Sequence, residues 1–407
     1  KAEQEKEAEK TRGGHLRVAS ERQFIGSMLL FLSTMSFVCI SQHLGLIWIA
    51  VEATTLASAS LISFHRNNRS LEATWKYLLI CSVGIALALI GIFFLSAASR
   101  GHVEHFTFQS LLAHATSMDV TWLKASFILL LVGYGTKMGL APMHTWLPDA
   151  HSEAPSVVSA LLSGALLNCA FLGLLRGHSI LERAGLGEFS GELLIILGLL
   201  SMGIAAVFIV RQTDFKRMLA YSSIEHMGIL ALGVGIGGAA ATGAMLHALN
   251  HSMAKGLLFL AAGNILAAYE TKTISGVQGM LKRMPFTACL WLAGFLAITG
   301  APPFGLFVSE LTVLKGAVAA KYWTVTVLYL LALAVVFIGM ARLILPMVFG
   351  VEKYRDGLPF FEATTREPLW SLLPPLVLAM IVTFLGLFIP PFLWNALVEA
   401  AAAIGGH

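Results

Sequence analysis

Apolar runs of the length that crosses hydrocarbon recur along the whole chain, and no other feature limits its fold so tightly. A helix needs about 20 mainly apolar residues to span a bilayer. About eleven such segments are legible in the 407 residues: 24–41, 43–64, 75–97, 123–141, 155–176, 192–211, 220–239, 241–268, 285–314, 322–349 and 369–396. Backbone polar groups in lipid must be satisfied within the segment, and these runs lack the alternation of a porin strand, so they read as helices. Composition agrees, with 57% hydrophobic and 12% charged residues, against about 25% charged in a soluble domain. The expectation is an all-α integral membrane protein of about eleven transmembrane helices.

The sparse charges report topology. Lys1, Lys6, Lys10, Arg12, Arg17 and Arg22 precede the first segment; Arg66, Arg69 and Lys76 follow the second; Arg211, Lys216 and Arg217, then Lys272, Lys282 and Arg283, then Lys353, Arg355 and Arg366 occupy alternate loops. The intervening stretches carry Arg100, Lys124, Arg176, Arg183 and Lys321, so about 18 basic residues fall on one side and 5 on the other. By the positive-inside rule the start of the chain is cytoplasmic and its end outside, with a prokaryotic inner membrane as the expected location. The net charge of +4 is spread over loops with no basic patch interleaved with aromatics, which argues against a nucleic-acid partner. The opening "KAEQEKEAEKTRGGH" has no apolar core for a signal peptide and no initiator methionine, so the chain reads as cleaved or as the larger part of a longer product. Cys39, Cys81, Cys169 and Cys289 lie within the expected spans without a CxxC pair. They read as small buried hydrophobes, and no redox cofactor is expected in this chain.

Glycine and proline break two segments in the same manner, at "GLAP" (Gly139 to Pro142) and "GAPPFG" (Gly300 to Gly305). Each break falls in the fourth helix of a run of five. Five is odd, so the second run would enter the membrane from the opposite side, giving two inverted repeats. The expected units are a cytoplasmic segment 1–22, a first repeat 23–190, a second repeat 191–350, and a loop with a C-terminal helix over 351–407. Broken segments at matching places in two halves point to an ion or substrate path.

Ionisable residues near the breaks strengthen that reading, since a charge at the bilayer centre costs about 3 kcal/mol on insertion scales. Glu52 lies in "LIWIAVEATTLASASLI", Lys137 just ahead of the first break, His247, His251 and Lys255 in "MLHALNHSMAKGLLFL", and Glu310 after the second break. The spacing of His247, His251 and Lys255 puts them on one helical face over about 12 Å. The HxxxH pair offers two zinc ligands with no third ligand or catalytic glutamate nearby, so no metal is expected. Proton handling suits histidine, which titrates near physiological pH. Burial disfavours the charged form of Lys137 and a nearby carboxylate favours it, so moving Glu52 would switch the lysine; a static ion pair is the bland alternative. "HTWLPDAHSEAPS" adds His144, Asp149, His151 and Glu153 in an expected cytoplasmic loop, as an access funnel or a solvated turn. Glu225 and His226 are expected one turn inside a helix start as access or interfacial groups, and Asp214, Lys216 and Arg217 as interfacial anchors.

The stretches "GYGTKMGLAPMHTWLPDAHSEAPS", "DFKRMLAYSSIEHMG", "HALNHSMAKGLLFLAAGN" and "GAPPFGLFVSE" resemble the antiporter-like subunits of respiratory complex I, multisubunit cation/proton antiporters and energy-converting hydrogenases. The resemblance covers about residues 20 to 396. Within the family, "VEATTLASASL", "SLEATWKYLLIC" and "SALLSGALLNCA" look most like component F of hydrogenase-4 and its formate hydrogenlyase relatives. The resemblance implies inverted five-helix repeats, usually preceded by three further helices. It also implies a proton path in which the family's glutamate and lysine match Glu52 and Lys137, its central histidine His251, and its terminal ionisable group Glu310. Many relatives carry a lysine where this chain has Asn168, which can hydrogen-bond water but cannot carry a proton, so the expected path from Lys137 past Asn168 to His251, His247 and Lys255 and out near Glu310 crosses there by water or by His247.

The expected function is therefore an ion-translocating subunit, most simply for protons, of a hydrogenase or complex I-like assembly. Its partners would be other membrane subunits and a peripheral redox arm. A cation/proton antiporter module driven by gradients alone, or a scaffold that no longer pumps, are the alternatives.

Overall fold

The computed structural model describes residues 21–99, 105–351 and 366–404. The basic residues before Arg22, together with Arg100, Lys353 and Arg355, lie outside the described residues. Every regular element described is helical, save isolated bridges between His43 and Thr107 and between Asp214 and Thr273.

The first half comprises α1 (Glu21–Ile40), α2 (Leu44–Ile62), α3 (Asn68–Ala98), α4 (Val120–Met138), the short α5 (Trp146–Glu153), α6 (Ser156–Leu161) and α7 (Leu167–Arg183). A π-helical turn, Leu162–Leu166, makes α6 and α7 one continuous rod. The second half comprises α8 (Gly187–Ile209), α9 (Phe215–Ile236), α10 (Gly238–Tyr269), α11 (Pro285–Ile298), α12 (Gly305–Ala319) and α13 (Trp323–Phe349), followed by α14 (Leu369–Leu387) and α15 (Pro391–Ala403). Among the described residues ten rods are long and apolar enough to span a membrane, and the broken pair α11/α12 makes an eleventh. Many large apolar side chains are exposed on the outer faces, among them Leu29, Leu30, Leu79, Val83, Val207 and Val327. Such a surface is stable only against lipid or further protein.

Local chemistry sets the helix starts. Asn67 Oδ1 accepts from the Ser70 amide at 2.7 Å, Asp119 Oδ1 from Thr121 at 2.9 Å, and Asp214 Oδ1 from Lys216 at 2.8 Å. Each satisfies an amide that has no intrahelical partner. Helices α8 and α9 approach closely through glycines: a Cβ on Gly198 would lie 2.7 Å from the Gly228 carbonyl. Small residues at such crossings let backbones pack in the absence of a hydrophobic drive between helices. Helix α9 is almost wholly buried, and α10 packs against α6, α9, α11, α12 and α14.

Three sequence expectations need correction. The expected loop "HTWLPDAHSEAPS" folds as α5, wedged between α3 and α9, because Pro148 falls in its first turn, where a missing amide costs no hydrogen bond. Helix α9 begins at Phe215 rather than near 220, since Asp214 caps it there. The last segment stops at Leu387; Pro390 and Pro391 interrupt it, and Pro391 starts α15. Of the cysteines, Cys81 and Cys169 are buried, whereas Cys39 and Cys289 are exposed on helix faces.

Candidate functional site

Both breaks end their first helix in one way. Gly139 and Gly300 adopt left-handed φ of 86° and 65°. The amide of the next residue reaches back five positions, Leu140 to Gly135 O at 2.8 Å and Ala301 to Leu296 O at 2.9 Å. This is the glycine cap that closes a helix end and frees the chain to turn. At the first break, the Ala141 amide donates to Ser201 Oγ of α8 at 2.9 Å, so a side chain satisfies backbone that leaves the ladder inside the membrane.

Lys137 sits in the last turn of α4, fully buried. Its Nζ donates to Thr55 Oγ1 of α2 at 2.8 Å and to Tyr77 OH of α3 at 2.5 Å, and lies 4.5 Å from the Tyr77 ring centroid. Tyr77 OH is 2.6 Å from Ser58 Oγ, and its ring packs on Trp146, whose Nε1 donates to Thr136 O at 2.8 Å. Glu52 is half-buried one helical turn before Thr55. Its Oε1 accepts from Ser82 Oγ at 2.8 Å and its Oε2 from Thr55 Oγ1 at 3.3 Å. Glu52, the expected partner of Lys137, is linked to it through the Thr55 hydroxyl rather than by the direct ion pair of the bland alternative.

The second centre lies on α9, α10 and α12. His247 Nε2 is 2.9 Å from His226 Nδ1, and His247 Nδ1 is 2.9 Å from Ser309 Oγ. The His226 ring lies 5.1 Å from that of His251, whose two nitrogens have no hydrogen-bond partner. Lys255 Nζ donates to Leu219 O at 2.7 Å and Ser222 Oγ at 2.8 Å. Glu310 is buried, with Oε1 unpartnered; a Cβ on Gly300 would lie 1.9 Å from its Oε2, so the break makes room for the carboxylate. Glu225 and His226 are buried about 15 Å along α9 from its start. The expected place of these two residues, one turn inside the helix start, is corrected by the earlier start of α9.

Residues between the two centres differ in their surroundings. His151, at the end of α5, is fully buried, stacked on Phe259 at 5.1 Å, with both ring nitrogens unpartnered and within electrostatic range of Lys255. His144 is nearly buried beside Tyr221. Lys137, His144 and His151 follow at intervals of seven across the first break. Asn168 is half-buried on α7; its Nδ2 donates to Ser252 Oγ of α10 at 2.8 Å and to Gly164 O at 3.2 Å, while Oδ1 has no partner.

One end of the bundle gathers charge. Asp149 pairs with Arg217 at 2.8 Å and Lys76 at 3.1 Å, tying α5 to α9 and α3. Lys272 contacts Glu153 at 2.6 Å and lies 3.7 Å from Asp214. Asp149 and Glu153 are therefore engaged in ion pairs rather than free. Lys216, expected as an interfacial anchor, is buried and donates to the Ala154 carbonyl that ends α5, at 2.5 Å. Partial desolvation and then the Lys216 charge hold the His65 imidazole at this end below its ordinary range, which favours its neutral form at pH 7.

A chain with two broken rods and buried lysine, histidine and glutamate beside them can be compared with known proteins. Residues 41–338 match the family model described as "NADH:quinone oxidoreductase/Mrp antiporter, TM". The chain belongs to that family. It is 36% identical over 384 residues, 93% of this chain and 78% of the relative, to a hydrogenase-4 component F homolog of Methylacidiphilum infernorum. It is 30% identical over 393 residues, 93% of this chain and 76% of the relative, to NADH-quinone oxidoreductase subunit N of Desulforudis audaxviator. A chain of an archaeal respiratory membrane complex, the membrane-bound sulfane sulfur reductase, superposes with a TM-score of 0.86 at 23% identity, covering 97% of this chain and 79% of that one; that likeness shows the fold. The protein is thus a multi-pass membrane member of the antiporter-like family, whose relatives are named as components or subunits of larger assemblies.

Proposed function

We propose that this chain is the proton-translocating membrane subunit of an energy-converting hydrogenase or complex I-like assembly. The observation that carries this reading is an ionisable series in the helix core: half-buried Glu52 and buried Lys137 in the first half, buried Glu225, His226, His247, His251, Lys255 and Glu310 in the second, and buried His151 near Lys255. A structural core does not need so many desolvated ionisable groups, and in membranes they mark ion pathways. Moving one charge against 100 mV costs about 2.3 kcal/mol, which small rearrangements of hydrogen-bond partners can supply at each step.

In this reading Lys137 holds a proton against Thr55 and Tyr77, and Glu52 biases it through the Thr55 hydroxyl. The path continues past His144 and His151 to Lys255, His251 and His247 and leaves near Glu310. The two halves, 23–190 and 191–350, act as inverted repeats. The basic end around Lys76, Arg217 and Lys272 faces the cytoplasm of a prokaryotic inner membrane. Asp149 serves access, Glu225 belongs to the path beside Lys255 and Glu310, and a peripheral redox arm supplies the energy. Asn168 holds α7 against α10 without carrying charge.

The test is to purify the native assembly with its partners and measure substrate-driven proton uptake in sealed vesicles. A redox arm and uptake abolished by a protonophore support the reading. An assembly without redox subunits whose proton movement follows a sodium gradient favours a cation/proton antiporter module, and an intact redox assembly without uptake favours a scaffold.

A further inference from the structure

We infer that His226, His247 and Glu310 form an inhibitory binding site for a divalent transition-metal ion of the zinc class; the inhibition rests on the proton path proposed above, which an ion on these atoms would close, whereas the binding does not. The local sequence around the HxxxH pair lacks a third ligand; the fold supplies it from two other helices. One ligand atom from each of His226 on α9, His247 on α10 and Glu310 on α12 lies within 4.8 Å of the others, and all three residues are buried. Ligands around a zinc ion at about 2.0–2.2 Å sit roughly 3.3 Å apart, so side-chain ends need to close by at most about 1.5 Å.

The donor set chooses the metal. Two imidazoles and one carboxylate suit zinc and its neighbours, whereas calcium and magnesium require shells built mainly of oxygen. Three protein ligands leave one position of a tetrahedral ion open.

Two further observations point to a ligand. Glu310 Oε1 is buried without a hydrogen-bond partner, a state that native interiors rarely leave unresolved. His247 Nδ1 is held by Ser309 Oγ at 2.9 Å, which fixes its Nε2 toward His226. That is the outer-sphere bond by which metal-binding histidines are commonly oriented. His251, although one turn from His247, lies outside the trio. Glu310 also lines a cavity of about 360 Å³ between α12 and α13, where it is the one carboxyl group beside mainly apolar side chains.

The experiment uses the full-length chain in detergent, stripped with a chelator and titrated with Zn²⁺ alone, with Co²⁺ as a spectroscopic reporter. One ion per chain and the visible bands of a four-coordinate cobalt centre are expected. Glu310→Gln, His226→Gln and His247→Gln should each weaken zinc by at least about tenfold, and Ser309→Ala, which keeps all three ligands, by about 10- to 100-fold, while His251→Gln leaves affinity unchanged. Substoichiometric zinc in the wild type would overturn the site. So would unchanged affinity in Glu310→Gln, or loss in His251→Gln equal to that in His226→Gln, which would place the metal on the HxxxH pair instead.

Discussion

Lys137 and Glu52 communicate through one hydroxyl: Lys137 Nζ donates to Thr55 Oγ1 at 2.8 Å, and the same oxygen lies 3.3 Å from Glu52 Oε2. A direct buried ion pair would have to be broken to move the proton, and removing one partner of such a pair typically costs 3–5 kcal/mol. A hydroxyl relay lets the carboxylate bias the lysine without trapping it.

Thr55→Val tests the relay. It keeps the shape of the side chain and removes an acceptor for Lys137, a loss of about 1.5–3 kcal/mol for a hydrogen bond to a charged group. That corresponds to roughly 10- to 100-fold in the balance between charged and neutral lysine. Proton uptake in vesicles should fall markedly while subunit content is kept. Glu52→Gln should act in the same direction but more weakly, because Ser82 and Thr55 can still bond the amide. Loss of assembly in both variants, with no separate effect on uptake, would mark the bridge as structural.

Gly300→Ala should place a methyl group where the Glu310 carboxylate now lies, and at a φ of 65° it also strains the backbone by about 1–2 kcal/mol. Uptake should be lost with the helices retained by circular dichroism. Gly203→Ala, with nothing within 4 Å of the added carbon, is the control and should be silent. Equal behaviour of the two variants would remove the second break from the path.

Asn168→Lys should be accepted. The side chain faces Ser252 Oγ and the carbonyls of Gly164 and Ala248, which can solvate an ammonium group. Expression and uptake near wild type are expected. A variant that fails to insert would show that this face of α7 is closed to charge and would strengthen the scaffold reading.

The helices were legible because a span has a fixed length and apolar composition, and Lys137 and Glu310 stood out as charges within such runs. Helix α5 was hidden because its polar residues and Pro148 resemble a loop, and only its place between α3 and α9 gives them partners. Lys216 read as an interfacial anchor because first-turn lysines usually are; its burial follows from a carbonyl on another helix, Ala154. Tyr77 and Thr55 carried no signal, since hydroxyl residues are tolerated in any membrane helix by bonding their own backbone. The trio of His226, His247 and Glu310 joins residues 21 and 63 positions apart, which no local spacing can disclose.

The measurement that tests the account most directly is substrate-driven proton uptake by sealed vesicles containing the intact assembly with Lys137→Met. Methionine fills a similar volume without charge, and Thr55 and Tyr77 keep Ser58 and Glu52 as hydrogen-bond partners. The account requires that uptake be abolished while every subunit remains in the purified complex. Uptake at the wild-type rate in that variant would contradict it.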